Sequence, residues 1–184
     1  MKRKTKNMEK KISLIIGDIT KVEADAIVNA ANPNLLGGAG VDDAIHAAAG
    51  PELYEECLTL MRCPAGEARI TKGYKLPAKF VIHTVGPMWF DNGSPEEKDK
   101  LLASCYTNSL ALAESKGLTS VAFPSISTGA FKFPIERAAN VALSAVNVFL
   151  QKSKTVSQVI FVLFTQHDFD VYKKIHDSLA SNKK

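Results

Sequence analysis

Residues 26–50, AIVNAANPNLLGGAGVDDAIHAAAG, carry the reading from which the fold follows. AIVNA (26–30) is a short, nearly continuous apolar run, the pattern of a buried strand. A glycine cluster follows at Gly37, Gly38 and Gly40. VDDAIHAAAG (41–50) then reads as a helix that ends at Gly50, with Pro51 closing it. A strand passing through a glycine-rich loop into a helix is one unit of an alternating α/β domain.

The alternation continues in both directions. ISLII (12–16), EARITKGYKL (67–76), KFVIHTV (79–85), TSVAFPSI (119–126) and VSQVIFVLF (156–164) read as strands. PELYEECLTLM (51–61), the long amphipathic stretch 96–117 stopped by Gly117, IERAANVALSAVNVFLQK (135–152) entered through Pro134, and FDVYKKIHDSLA (169–180) read as helices. The strands are continuous apolar runs, so the sheet should be covered on both faces. The expected fold class is therefore α/β, a three-layer αβα sandwich.

The chain is 184 residues and 19.9 kDa, enough for one core, with a single domain expected over 12–180 after a basic tail at 1–11. At 46% hydrophobic and 23% charged the composition is that of an ordinary globular protein, not of a disordered chain or a disulfide scaffold. No apolar run reaches the roughly 18 residues of a membrane span. The lysine-rich start lacks a following apolar segment, so it does not read as a secretory signal, and a cytoplasmic location is expected. The net charge of +4 sits on the tails: residues 1–11 hold six basic residues against one acid, and Lys183 and Lys184 end the chain. The body is net acidic, which argues against a nucleic-acid surface. Cys57, Cys63 and Cys105 show neither CxxC nor zinc spacing and read as reduced core thiols.

In parallel α/β sheets ligands bind beyond the carboxyl ends of the strands, and three loops there carry chemistry. In 29–46 the glycines let backbone amides approach a ligand, and the next helix offers free N–H groups and a positive dipole end to a phosphate. The sequence contains no GxxxxGK[ST], and GGAG does not fit GxGxxG, so neither a P-loop nor a dinucleotide fingerprint is present. PSISTGAFKFP (124–134) supplies hydroxyl and amide donors at Ser127, Thr128 and Gly129 and flat surface at Phe131 and Phe133. In GDITKVEAD (17–25), Thr20 and Glu23 have capping-box spacing, which leaves Asp18 to accept from the exocyclic amine of an adenine. Taken singly, each loop also reads as a plain turn. Together they describe a site for an adenine–ribose–diphosphate–ribose ligand.

GDIT (17–20), AIVNAAN (26–32), LLGGAGVDDAIHAAAGP (35–51), VIHTVGP (81–87) and PSISTGAFKFP (124–134) resemble a macrodomain of the MacroD type, in the same order and over about 12–172. The resemblance implies an αβα sandwich around a mixed sheet. It also implies hydrolysis of ester-linked mono-ADP-ribose on acidic protein residues and deacetylation of O-acetyl-ADP-ribose. Carried over by position, Asp18 and the Ile19 amide contact adenine, Asn32 holds the distal ribose and Asp42 stands beside the scissile bond. Gly37, Gly38, Ala39, Gly40 and Val41, with Ser127, Thr128, Gly129, Ala130 and Phe131, surround the diphosphate and distal ribose, and Phe164 borders the adenine. No cofactor or metal is implied, because the loop lacks the cysteine of zinc-dependent macrodomains. The implied partners are ADP-ribose, ADP-ribosylated proteins and O-acetyl-ADP-ribose, taken by a monomer.

A carboxylate leaving group, with a pKa of about 4, needs little help from a general acid. One acid, Asp42, is then enough to orient or deprotonate a water, unless a substrate phosphate does so. His46, four residues on, shares its helix face and reads as a brace. His83, inside a strand, reads as a hydrogen-bonded core residue. Three positions depart from the family pattern. Ala39 replaces a glycine and would be strained at positive φ, Asp43 adds a second acid, and Lys132 replaces a glycine between the phenylalanines. The competing readings are a non-catalytic ADP-ribose-binding module and an RNA-binding macrodomain.

Overall fold

The computed structural model describes residues 11–181. Residues 1–10 of the expected tail at 1–11 and the terminal lysines lie outside the described residues, and Lys11 is the first residue of the first strand. The elements run β1 (Lys11–Ile16), a short 3-10 turn (Ile19–Lys21), β2 (Ala26–Ala30), α1 (Val41–Ala49), α2 (Pro51–Thr59), β3 (Ala68–Lys72), β4 (Phe80–Thr84), α3 (Pro95–Ser115), β5 (Ser120–Phe123), α4 (Ile135–Lys152), β6 (Gln158–Leu163) and α5 (Gln166–Ser181). They form one six-stranded sheet in the order β1-β6-β5-β2-β4-β3. Every neighbouring pair is parallel except β3 with β4, which makes the sheet mixed.

Period-two alternation sends each strand's apolar residues to two different cores. Ala26, Val28, Ile82, Val121, Phe123, Val159 and Phe161 pack under α3, α4 and α5, against Leu102, Tyr106, Leu110, Ala142, Val146 and Tyr172. Ile27, Val81, Ala122 and Val162 pack on the other face under α1 and α2, against Ile45, Ala49, Leu53 and Cys57. This is the three-layer sandwich expected from continuous apolar strands. The exceptions are the two edge strands: ISLII reads as a buried strand, but β1 at the sheet edge has no buried residue, and β3 at the other edge is only partly buried, with charges that suit an edge.

Local signals explain most boundaries. Ser94 and Glu97 form a reciprocal capping box at the start of α3, with Pro95 in its first turn. Gly50 ends α1 at a φ of 92°, which glycine adopts freely. Pro51 does more than close α1: it is the first residue of α2, where its missing N–H costs nothing.

The parallel strands all point the same way, so the loops after β1, β6, β5 and β2 lie side by side along one edge of the sheet. Adjacent strands are about 4.8 Å apart, so β1 and β2 stand about 14 Å apart.

Candidate active site

Strand order lays out the expected site residues in a row. Asp18 and Ile19 follow β1, Phe164 follows β6, Ser127–Phe131 follow β5, and Asn32–Asp42 follow β2. An extended ligand crossing this edge would meet them in that sequence.

At the first end, Asp18 corrects the capping expectation. Thr20 and Glu23 form no box; Asp18 itself is the N-cap of the 3-10 turn, accepting from Thr20 N at 2.9 Å and from the Thr20 hydroxyl at 2.7 Å. Both bonds reach Oδ1, and the Thr20 hydroxyl is the main cause that holds this carboxyl below its ordinary range. Asp18 is exposed, so it is both a cap and a surface acceptor. Ile19 is buried, with its side chain in the α1/α2 core. Phe164 is 85% exposed beside Ile16 at 47%, an open apolar shelf at the ends of β6 and β1.

The loop after β5 is strained at two positions, Ser127 and Lys132. Ser127 holds a left-handed φ of 67°, and its buried hydroxyl has no hydrogen-bond partner among the described residues. Its carbonyl accepts from Phe133 N at 2.9 Å, while the Thr128 hydroxyl donates to Ser125 O. Gly129 and Ala130 are exposed and Phe131 is half-buried. The two phenylalanines part company here: Phe133 is core, packed against Trp89 at a tilt with ring centroids 4.9 Å apart, and offers no ligand surface. Lys132, in the glycine position, sits at a φ of 57°.

The loop after β2 is braced by Asn32. Its Nδ2 donates to Gly37 O at 2.6 Å, and its Oδ1 accepts from Asn34 N and Leu35 N at 3.0 and 3.1 Å. The loop runs through Gly37 at a φ of 82° and Gly40 at 64°. Gly38 passes so close to Asn32 and Asp42 that a Cβ there would lie 3.2 Å from both Nδ2 and Oδ2. Ala39 is exposed and is not left-handed, so alanine brings no strain at that position.

Asp42 is not a helix cap. Gly40 is the N-cap of α1 and makes no side-chain cap bond. Asp42 lies in the first turn, 3% exposed. Its Oδ1 accepts from Asn29 Nδ2 at 2.6 Å and stands 3.5 Å from His46 Nε2, while Oδ2 has no hydrogen-bond partner among the described residues. Burial raises the Asp42 pKa above the ordinary carboxylate value, against the Asn29 hydrogen bond and His46, which pull it down. The result is a buried carboxylate with one oxygen anchored and the other bare.

The anchor is the residue that sequence reasoning missed. Asn29 is fully buried in β2 among apolar neighbours. A lone amide in a doubly covered strand was the available signal, since a buried polar group needs partners. Asn29 faces α1 and α2 and pairs in register with His83 of β4, which is also fully buried. His83 is the hydrogen-bonded core residue that was expected.

Ligating atoms of His46, Cys57 and His83 lie within 4.8 Å of one another. Their chemistry suits a hydrogen-bonded network better than a metal. Burial pushes the Cys57 thiol up to about 12, and both His83 nitrogens already face Asn29 and Thr71.

The Macro domain family matches residues 28–142. A Macro domain-containing protein of Methanosarcina mazei is 55% identical over 164 residues, covering 89% of this chain and 87% of that protein. ADP-ribose glycohydrolase MACROD2 of Homo sapiens is 52% identical over 172 residues, covering 92% of this chain and 40% of that longer protein. Among solved structures, an Oceanobacillus iheyensis macrodomain with ADP superimposes with a TM-score of 0.89 at 45% identity, covering 96% of this chain and 94% of that one. A Trypanosoma brucei macrodomain in complex with ADP-ribose gives 0.82 at 42% identity, covering 89% and 68%.

Proposed function

This chain belongs to the macrodomain family, and on that premise we propose that it is an ADP-ribosyl hydrolase. It removes mono-ADP-ribose held as an ester on acidic side chains of proteins, and it releases acetate from O-acetyl-ADP-ribose. The relatives named ADP-ribose glycohydrolase, and the related structures holding ADP and ADP-ribose, support the ligand and the reaction class.

The observation that carries the catalytic reading is the bare, buried Oδ2 of Asp42 beneath the glycine loop. Adenine lies between Asp18 and the Phe164 shelf. The diphosphate takes the amides of the 127–131 loop and of the uncapped α1 N-terminus, whose dipole favours an anion. The distal ribose then reaches Gly38, above Asn32 and Asp42. Asn32 braces this loop and turns to the ribose through the same amide. Asp42 Oδ2 accepts a proton from the attacking water. The carboxylate or acetate departs as its own weak base, so no paired general acid is required.

A binding module without turnover is the second reading, and the departures that favoured it lose force. Ala39 is unstrained and Asp43 is exposed, so neither obstructs the loop. Three free, buried cysteines suit a reducing, cytoplasmic compartment. The test is a time course of free ADP-ribose released from glutamate-linked ADP-ribosylated protein, run beside O-acetyl-ADP-ribose. Tight ADP-ribose binding with no release from either substrate would leave only the binding module.

A further inference from the structure

We propose that His83 is a positioning residue for the reaction, acting through Asn29 to hold Asp42 by a single oxygen. The inference rests on Asp42 as the reacting carboxylate, and it goes beyond that by naming what keeps one of its oxygens bare.

The chain of contacts is continuous and runs from the sheet to the site. Asn29 Nδ2 is 2.6 Å from Asp42 Oδ1 and 3.1 Å from His83 Nδ1. His83 Nε2 is 2.9 Å from the Thr71 hydroxyl, which in turn donates to Val81 O at 3.4 Å. An amide nitrogen carries two hydrogens and accepts nothing. One hydrogen goes to Asp42, so the other faces His83 Nδ1, which must be the unprotonated nitrogen. The ring's proton is then on Nε2 and points at Thr71, whose own proton is committed to Val81. Each member sets the donor sense of the next, back to a backbone carbonyl in the sheet.

The alternative amide orientation fails at the carboxylate. It would turn Asn29 Oδ1 towards Asp42 Oδ1, placing two acceptors 2.6 Å apart. Asp42 thus sets which way Asn29 points, and a bare His83 Nδ1, by accepting the second amide hydrogen, holds the amide in that plane and aimed at one Asp42 oxygen. Burial keeps His83 neutral, with its pKa down to about 3, so the acceptor at Nδ1 persists across the working pH range. Cys57 Sγ, 3.8 Å from His83 Nε2, is a thiol there and adds no charge. Among the described residues, the titratable side chains whose charges bear on Asp42 are His46 and Asp43 on α1 and Cys57 on α2.

The test uses side chains that keep one ring nitrogen or the other. His83→Asn presents an acceptor near the Nδ1 position, His83→Gln presents a donor near Nε2, and His83→Leu presents neither. We expect kcat on glutamate-linked ADP-ribosylated protein to fall about tenfold or more in His83→Gln and His83→Leu, and to be largely restored in His83→Asn. The ADP-ribose dissociation constant should stay within about twofold in all three. With no acceptor at the Nδ1 position the amide is no longer held against Asp42 Oδ1, and because that bond lowers the Asp42 pKa, the acid limb of the kcat–pH profile should move to higher pH in His83→Leu. Equal kcat in the Asn and Gln variants, or an unmoved acid limb, overturns the proposal. The wild-type protein gives a check independent of folding: long-range proton–nitrogen NMR should show Nε2 protonated and Nδ1 bare between pH 5 and 8. The opposite tautomer ends the proposal, whereas full activity in Asp42→Asn would end the catalytic reading on which it rests.

Discussion

Gly86→Ala should unseat the diphosphate loop while leaving the sheet intact. Gly86 follows β4 and is buried directly beneath the loop after β5. A Cβ on it would fall 2.0 Å from Ser127 Oγ, 2.7 Å from Ile126 Cγ2 and 3.3 Å from Ser127 Cβ. Carbon contacts settle at about 3.5–4.0 Å, so two of these overlap by roughly an ångström or more. Rotating the Ser127 hydroxyl relieves only the first. Ile126 is fully buried, and its N–H is already bonded to Tyr106 OH at 3.3 Å, so the backbone of 126–127 must move. Overpacking of this kind costs about 1–3 kcal/mol, and the melting temperature falls by about 2–4 °C per kcal/mol in a chain of this size. The shift also misaims the 127–131 amides. Losing one hydrogen bond to a charged group costs about 1.5–3 kcal/mol, a drop of roughly 10- to 100-fold in affinity. Calorimetric titration with ADP-ribose and a thermal scan read both effects. Gly129→Ala is the control for stability, because a Cβ there meets nothing within 4 Å. An unchanged melting temperature in Gly86→Ala, with affinity within twofold of wild type, would refute the packing argument.

Asp18→Ala should weaken ADP-ribose binding by about 1.5–3 kcal/mol, lose about 1 kcal/mol of stability through the missing cap, and leave kcat at saturating substrate nearly unchanged. Lys132→Gly and Ala39→Gly should have opposite signs in a denaturant titration. The first relieves a left-handed φ and stabilises by about 0.5–1 kcal/mol, whereas the second only adds chain entropy to the unfolded state and destabilises by about 0.4–1 kcal/mol. His83 gives an acid slope: its folded pKa of about 3 lies below the ordinary 6.5, so the unfolded chain binds the extra proton between those values. Its contribution is intact above pH 6.5 and drains as pH falls towards 3, by about 2 kcal/mol between pH 6.5 and 5. The raised Asp42 pKa opposes this at the acid end, and denaturation of wild type against His83→Asn across that window isolates the histidine.

The layers were legible because the strands are long enough apolar runs to announce double burial, and AIVNA and IERAANVALSAVNVFLQK match β2 and α4 residue for residue. Strand order was not legible, since it depends on crossovers that no local pattern encodes. That order is what lines the adenine, phosphate and ribose ends up along one edge. Spacing alone also misassigned the cap. Thr20-x-x-Glu23 and Ser94-x-x-Glu97 look alike, but only the second precedes an α-helix with a third-residue amide to fill. At 19–21 the turn is three residues long and Asp18 is the residue in position to close it. Asn29, and the partners of the correctly expected core residue His83, escaped for a related reason. In a strand of apolar residues a polar side chain shows only that something must satisfy it, and the satisfying partner was set by register across β2 and β4.

Register also decides between the two adjacent acids of α1. Asp42 and Asp43 share the favourable field of the helix N-terminus, so the dipole does not distinguish them. Burial does. Asp42 is 3% exposed, anchored by Asn29 and raised in pKa, whereas Asp43 is exposed to solvent. A base held in a dry, oriented position is useful, and a solvated one a residue away points off the sugar. Asp42→Asn keeps the acceptor for Asn29 and nearly the same volume, so the protein should fold, bind ADP-ribose at least as tightly, and lose about 100- to 10,000-fold in kcat, the usual worth of a general base. Asp43→Asn should change kcat by less than about threefold, because it removes only a solvated charge near the diphosphate. Single-turnover release of ADP-ribose from glutamate-linked substrate measures both. If Asp43→Asn collapses the rate while Asp42→Asn does not, the base is the exposed acid, and the anchored carboxylate is only a structural tie between α1 and the sheet.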